Sequence, residues 1–468
     1  MQRENRTFDE LTVGETAELK RVCTADDLFV FASASGNFNP MHLPGYDLDH
    51  DGRPDEVTAP GMWVASLISA VLGTILPGAG TLYRSQSFEF LGRARAGDDL
   101  VARVRVTAKH DDGTVTLATS VHREEGEEEL LRGEALVTAP STKLQYEEQD
   151  MPGLVVQRHR HFDALVAQAE PLPPLIVAVV APEEPNALGG ALLATRHTLI
   201  TPILIGDVGK IAAAAAELGE SLDGIEIIDI ADHAAAANAA VDLVVEGRAA
   251  AVMKGHLHTD ELLRAVLRKE NGLRTGRRLT HIFVMDVPGV PHPLLVTDAA
   301  INILPDLATK VDIVQNAIDL ALSLGIEQPK VGVLSAVETV NPQIVSSVDA
   351  ALLSKMAERG QITGGLVDGP LAMDNAINVA AARTKGIVSP VAGRAQVLVV
   401  PNLDAGNMVA KQLTYVSHAE GAGLVMGARV PIILTSRADS AKARLASCAV
   451  AAIYHARTAG KTRAGGEA

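Results

Sequence analysis

The chain has 468 residues and a formal net charge of −16, which excludes a surface built to hold nucleic acid or another polyanion. Aromatic residues make up 3%, too few to stack unpaired bases, so Ala, Val, Leu and Ile must fill the interior, as in an α/β enzyme of the cytoplasm. At roughly 150 residues per domain the length allows about three compact units.

Residues 1–7 (MQRENRT) are polar and lack the apolar run of a signal peptide, which supports a cytoplasmic location. Cys23 and Cys448 stand in unrelated segments, without metal-ligand or redox spacing, and read as small buried hydrophobes. Residues 57–83 carry no charge, but Pro60, Gly61, Pro77 and Gly78 cut the helical part to about 15 residues, short of the ~20 that cross a bilayer. A buried helix in a water-soluble domain is expected, with Met62, Trp63, Leu67, Val71 and Leu72 on one face. Ala65, Ser66, Ser69 and Ala70 would let other elements approach its remaining sides. Residues 87–91, 99–108, 114–122 and 130–139 then read as strands of a meander, turning at Asp111-Asp112-Gly113 and at the acidic tip 124–129. One helix against one antiparallel sheet makes residues 1–142 an α+β domain. Residues 143–172, broken by Met151-Pro152-Gly153 and Pro171, read as a linker holding one short helix around 162–169.

From residue 173 to 457 the pattern changes. Short apolar runs at 175–181, 202–206, 225–230, 249–254, 331–334, 397–400 and 431–434 alternate with helical segments, which predicts a doubly wound α/β domain with parallel pairing. Residues 306–324 form a clear amphipathic helix stopped by Gly325, and 458–468 read as a disordered tail. In such a sheet the chemistry sits beyond the carboxyl ends of the strands. Three loops there, 363–375, 401–407 and 435–440, are dense in Gly, Asp, Asn and Ser, and each opens a helix whose free N–H groups suit a phosphate or an oxyanion. For any one of them, ordinary N-capping is the competing reading. Arg437 beside Ser436 adds a cation, and Arg264, Arg268, Arg277 and Arg278 could be brought near it, although Arg264 and Arg268 also fit one solvated helix face.

The stretches DGPLAMDNAI (368–377), GIVSPVAGRAQVLVVPNLDAGN (386–407) and VPIILTSRADS (430–440) resemble the phosphate acetyl/butyryltransferase family, as do MKGHLHTDELLRAVL (253–267) and GLRTGRRLTHIFVMDVPG (272–289). The resemblance runs from about residue 162 to 454. It implies reversible transfer of an acyl group between coenzyme A and phosphate, on a two-subdomain fold related to the isocitrate and isopropylmalate dehydrogenases. It implies no metal and no permanently bound cofactor, coenzyme A and phosphate being substrates. On this resemblance Ser436 donates to the tetrahedral intermediate or steadies the attacking sulfur, while Arg437 and Arg264 hold phosphate, with Arg278 as a further candidate. Asp374, Asn402, Asp404 and Asn407 are substrate-binding candidates within the matched stretches. Acetyl-specific members carry an Asp seven positions after that serine, where this chain has Ala443, and the TSRADS wording is similar to the butyryl type. Asp439 becomes the candidate base, with helix capping as its competing role.

FASASGNFNPMHLPGYD (31–47) resembles the MaoC-like (R)-specific enoyl-CoA hydratases, whose hotdog fold wraps a sheet around one long helix; Ala59-Pro60-Gly61-Met62 matches the opening of that helix. This resemblance covers about residues 8–141. The family's catalytic pair is an Asp and a His five residues apart, and those positions here hold Asn37 and His42. A carboxamide cannot take a proton from water, so hydration competes with a second reading, an acyl-CoA-binding or dimerising module. Residues 47–58 (DLDHDGRPDEVT) imitate a calcium loop but end in Thr58 rather than the bidentate Glu, and read as a solvated insertion; Asp47, Asp55 and Glu56 are the nearest carboxylates to replace the missing one. His50, His258, His281 and His292 show no metal spacing. A homo-oligomer is expected from both resemblances. The reading of a different class is an acyl-CoA- or acetyl-phosphate-binding regulatory protein with little turnover.

Overall fold

The structure, a computed structural model, describes residues 2–44, 57–147, 156, 159–435 and 439–464. It divides into two compact units, residues 1–156 and 157–468.

In the first unit, β1 (Gln2–Glu4), β2 (Thr16–Val22), α1 (Ala25–Ser35), α2 (Gly61–Thr74), β3 (Leu82–Phe90), β4 (Asp99–Lys109), β5 (Thr114–Arg123), β6 (Glu129–Thr138) and β7 (Gln145–Glu147) follow in order. Five strands form an antiparallel sheet in the order β2-β4-β5-β6-β3, while β1 pairs with β7. Alternation decides which face is covered: Leu100, Ala102, Val104 and Val106 of β4 and Val115, Leu117 and Val121 of β5 turn inward onto α2. From α2, Trp63, Val64, Leu67, Ile68, Val71 and Leu72 meet them, as the sequence predicts. Met62 departs from the prediction and is exposed, because at about 100° per residue it falls on the side of α2 opposite Val71 and Leu67. At Gly133 a Cβ would lie 1.9 Å from the Ser87 carbonyl oxygen, so only glycine lets β6 and β3 pair there. Strand β2 and helix α1, capped by Thr24 and ended by Gly36 at φ 72°, were not legible in the strand pattern.

The second unit begins earlier than expected. Helix α3 (Arg160–Ala169) buries Phe162, Leu165 and Ala169 in its main core, so the helix read as part of a linker is a structural member of this unit. There follow β8 (Leu175–Val180), α4 (Pro185–Arg196), β9 (Ile200–Gly206), α5 (Val208–Leu218), β10 (Glu226–Asp229), α6 (His233–Val245), β11 (Ala251–Lys254), α7 (Thr259–Val266), β12 (Thr280–Asp286), β13 (Leu294–Thr297), α8 (Leu307–Ser323), β14 (Lys330–Leu334), α9 (Val345–Glu358), β15 (Leu366–Leu371), α10 (Met373–Ile377), α11 (Val379–Thr384), β16 (Val397–Val399), α12 (Leu403–Tyr415), β17 (Glu420–Met426), β18 (Ile432–Ile433) and α13 (Ala441–Ala464). Helix α13 continues past residue 458, where the sequence suggests that order ends.

Among the described residues the strands form one eleven-stranded sheet, β10-β9-β8-β11-β18-β17-β12-β13-β16-β14-β15. Both faces are covered. Val177, Val179 and Leu204 face α3, α4, α5 and α13, whereas Ala178, Val180, Ile203 and Ile205 face α6 and α7. The expected all-parallel pairing fails at the centre: β17 is antiparallel to both β18 and β12, and β12 to β13. Strands β13, β16, β14 and β15 therefore run opposite to β8, β9, β11 and β18. No helix among the described residues is long and apolar enough to cross a membrane.

Candidate active site

After β8 the chain adds β9 and β10 on one side of it and then crosses to β11 on the other, so the strand order reverses between β8 and β11. At such a reversal the following loops part and leave a crevice beyond the carboxyl ends. Here the loops are tied at their base: the Gly255 amide donates to the Val180 carbonyl at 2.8 Å and the His256 amide to Ala181 at 2.6 Å. A Cβ on Gly255 would sit 2.4 Å from both of those carbonyl oxygens, so only glycine permits the approach. His256 Nδ1 lies 2.9 Å from Glu184 Oε2. Lys254 ends β11 with 4% exposure, a buried ammonium at the carboxyl end of that strand. Neither Lys254 nor Glu184 was singled out from sequence; a lysine closing an apolar run just before a glycine is the signal that could have found the first.

Strand β18, parallel to β11, delivers the 435–440 loop beside these groups. Ser436 and Arg437 lie outside the described residues, but both flanks of the loop are held. The Thr435 hydroxyl, 2% exposed, accepts from Arg444 Nη1 at 2.6 Å. Asn186 Nδ2 donates to the Asp439 carbonyl at 3.1 Å, and Ser440 Oγ accepts from the Ala443 amide at 3.1 Å, capping α13. Ser440 thus caps α13, and Asp439, half-buried, directly precedes it. Ala443 is buried, so no carboxylate occupies that position. Burial pushes the Arg444 guanidinium below its ordinary range, opposed first by Asp439 and then by Cys448 and Glu184.

The remaining predicted residues fall elsewhere. Arg264 is three-quarters exposed on α7 and pairs with Asp260 at 3.5 Å, while Arg268 and Arg277 pair with Asp242 and Asp319. Arg278 lines a pocket of about 580 Å³ with Arg274, Arg277 and Asn302, at the amino end of β12. There it helps Thr309 hold the Asp306 carboxyl below its usual value. Asn402 caps α12, its Oδ1 accepting from the Ala405 amide at 3.0 Å, and Asp404 and Asn407 are exposed on the same helix. Asp374 pairs with Lys385 at 3.3 Å, and the Asn375 amide, then Lys385, hold its carboxyl low. These residues follow β15 and β16, whose polarity puts their carboxyl ends at the other end of the sheet from residue 435. The Leu403 amide donates to Ile303 beside the arginine pocket, so the predicted site residues divide between two ends of the sheet.

In the first unit His42 closes a short 3-10 turn, and with Met41, Ala59, Gly61, Phe90 and Arg93 it lines a pocket of about 420 Å³ at the amino end of α2. His42 Nδ1 donates to the Thr58 carbonyl at 2.7 Å, because a carbonyl only accepts. Asn37 is exposed, its Oδ1 accepting from the Asn39 amide at 3.3 Å, and it is not among the residues lining that pocket. Asp47, His50, Asp55 and Glu56 lie outside the described residues. Among the described residues no cluster of three or more His, Cys, Asp or Glu is placed to hold a metal ion. His281 is fully buried and burial holds it below its ordinary value; His258 opens α7 with Glu261, and His292 is turned to the Pro293 carbonyl.

The second unit is thus an α/β unit with a strand-order reversal, the place where such folds bind their ligands, and it sets buried Lys254 and the described flanks of the 435–440 loop there. The comparisons narrow this further: residues 231–452 match the family described as phosphate acetyl/butaryl transferase. A phosphate acetyltransferase of Rhizobium meliloti is 58% identical over 296 residues, 63% of this chain and 94% of the relative. The chain belongs to the phosphate acetyl/butyryltransferase family. A branched-chain phosphotransacylase from Enterococcus faecalis V583 is 31% identical with a TM-score of 0.53, covering 60% of this chain and 99% of that one. The R-hydratase PhaJ1 from Pseudomonas aeruginosa is 34% identical with a TM-score of 0.31, covering 34% of this chain and all of that one.

Proposed function

We propose that the second unit transfers a short acyl group between coenzyme A and inorganic phosphate. The observation that carries this is the strand-order reversal between β8 and β11, where buried Lys254 closes β11 and where Arg444 and Asn186 hold Thr435 and the Asp439 carbonyl. In the direction of acyl-CoA formation, the thiol, with a free value near ~8.5, must lose its proton before sulfur attacks the acyl carbon. Asp439 takes that proton, as the carboxylate that follows Ser436 and Arg437 in the loop. A C–S bond forms, the carbonyl oxygen becomes an oxyanion to which Ser436 donates, and the C–O bond to phosphate breaks as the intermediate collapses. Arg437 and Lys254 offset the charge of the departing phosphate. The acyl chain is acetyl or a small branched or linear homologue.

The test is thiol release from acetyl-CoA and butyryl-CoA in the presence of phosphate. Asp439→Asn is expected to lower kcat by about a hundredfold or more, the range for removing a general base. Ser436→Ala and Arg437→Ala are expected to lower kcat/KM. Wild-type protein inert towards both thioesters would instead favour a ligand-binding protein with little turnover.

For the first unit the His42 pocket favours a hotdog-type thioester-binding domain. With Asn37 turned onto its own loop and chemically unable to accept a proton, hydration lacks one of its two groups. Purified protein is expected to leave crotonyl-CoA absorbance unchanged, and Asn37→Asp to introduce a measurable loss.

A further inference from the structure

We propose that Arg444 is a positioning residue for the acyl transfer, a buried guanidinium that fixes Thr435 and sets a positive charge near Asp439. The proposal rests on the transferase reading above. Arg444 is 2% exposed, and its neighbours on α13, Leu445, Ala446, Cys448 and Ala449, are apolar and buried, so packing alone would favour a hydrophobic side chain here. The fold makes room for it instead. On α4 a Cβ at Gly190 would lie 2.5 Å from Arg444 Cδ and 2.7 Å from its Cβ, so that helix omits a side chain where the arginine passes. The head group then donates to Thr435 at 2.6 Å, on the amino flank of the loop. From the same α4, Asn186 holds the Asp439 carbonyl on the other flank. Asp439 and Glu184 both feel the charge. Two helices thus hold Thr435 and Asp439, the described residues that bracket Ser436 and Arg437 in the sequence. Such a clamp acts on rate rather than on affinity, because small displacements of a reacting group raise the barrier without removing a contact to bound substrate.

The experiment compares the full chain with Arg444→Met, Arg444→Lys, Gly190→Ala, Thr435→Val and Gly189→Ala, measuring kcat and KM for phosphorolysis of acetyl-CoA and butyryl-CoA. Arg444→Met is expected to lower kcat about a hundredfold with KM changed by less than about threefold, and Arg444→Lys to recover about tenfold of that loss. Gly190→Ala and Thr435→Val disturb the clamp while keeping the charge, and are expected to lower kcat about tenfold with KM unchanged. Gly189→Ala, whose Cβ meets Leu218 at an ordinary 3.5 Å, keeps wild-type kcat. An Arg444→Met enzyme within about threefold of wild-type kcat, or one whose KM rises as far as kcat falls, overturns the proposal. Should Arg444→Met fail to fold, unchanged kcat in both Gly190→Ala and Thr435→Val overturns it. Inactive wild-type protein sinks the transferase reading itself, whereas an active wild type with unaffected variants sinks only the role of Arg444.

Discussion

Burial pushes the thiols of Cys23 and Cys448 each up to about 12, so neither supplies a thiolate near neutrality. A thiol-reactive disulfide at pH 8 is expected to find no fast-reacting group in the native protein and both thiols after denaturation. Glu183 behaves oppositely. Burial would raise its carboxyl, but the Asp207 amide, His233 and Lys210 together outweigh that and hold it below 4.5. Its folded value lies under its unfolded one, so the stability it lends is present above the unfolded value and lost as pH falls through the folded one. Glu183→Gln is expected to cost about 1–3 kcal/mol at pH 7 and to flatten the dependence of unfolding free energy on pH below about 5. At this scale sequence was a partial guide. Motif spacing pointed to His42, which lines a pocket, whereas Asn37 is exposed outside it and Ser436 and Arg437 lie outside the described residues. Arg444 was not legible, since a lone arginine on a helix ordinarily reads as a solvated face; only the apolar residues all around α13 hint that its charge is inside.

Strands and helices were legible where one pattern dominates. Alternation marked β4 and β5, and apolar runs marked β8, β9 and β11, because burial imposes those periods directly. Direction was not legible: nothing local in β12 or β17 says which way a neighbour runs, and the reversal at the sheet centre separates loops that composition groups together. The three Gly- and Asp-rich loops look alike because each opens a helix, yet the cap at Asn402 and the clamp around Thr435 lie at different ends of the strands. The tie between the β8 and β11 loops gives an element-level prediction. Gly255→Ala would drive a methyl group into two carbonyl oxygens, and is expected to cost about 1–3 kcal/mol in a denaturant melt and to lower transferase activity as the crevice base spreads.

The two units have separate cores, and the single tryptophan, Trp63, is buried in the first while Phe162 is buried in the second. Phe162→Ala is expected to destabilise the second unit by about 3–5 kcal/mol, shifting the far-ultraviolet dichroism transition while the Trp63 fluorescence transition stays in place. Coincident shifts in both signals would show that the units unfold as one. The division into two kinds of architecture was legible from the change of period, whereas the exact boundary was not, because α3 belongs to its unit through long-range burial rather than any local mark.

Strand β11 finds one partner in β8, made shortly before it, and the other in β18, near the far end of the polypeptide, where α13 then covers the same layer. On the ribosome, the front half of this unit must wait with an open β edge and an uncovered apolar surface until residues 432–453 emerge. Nascent chains stalled before that point should therefore be held by chaperones and cut readily by protease, and resistance should arrive abruptly with the last helix rather than accumulate as synthesis proceeds.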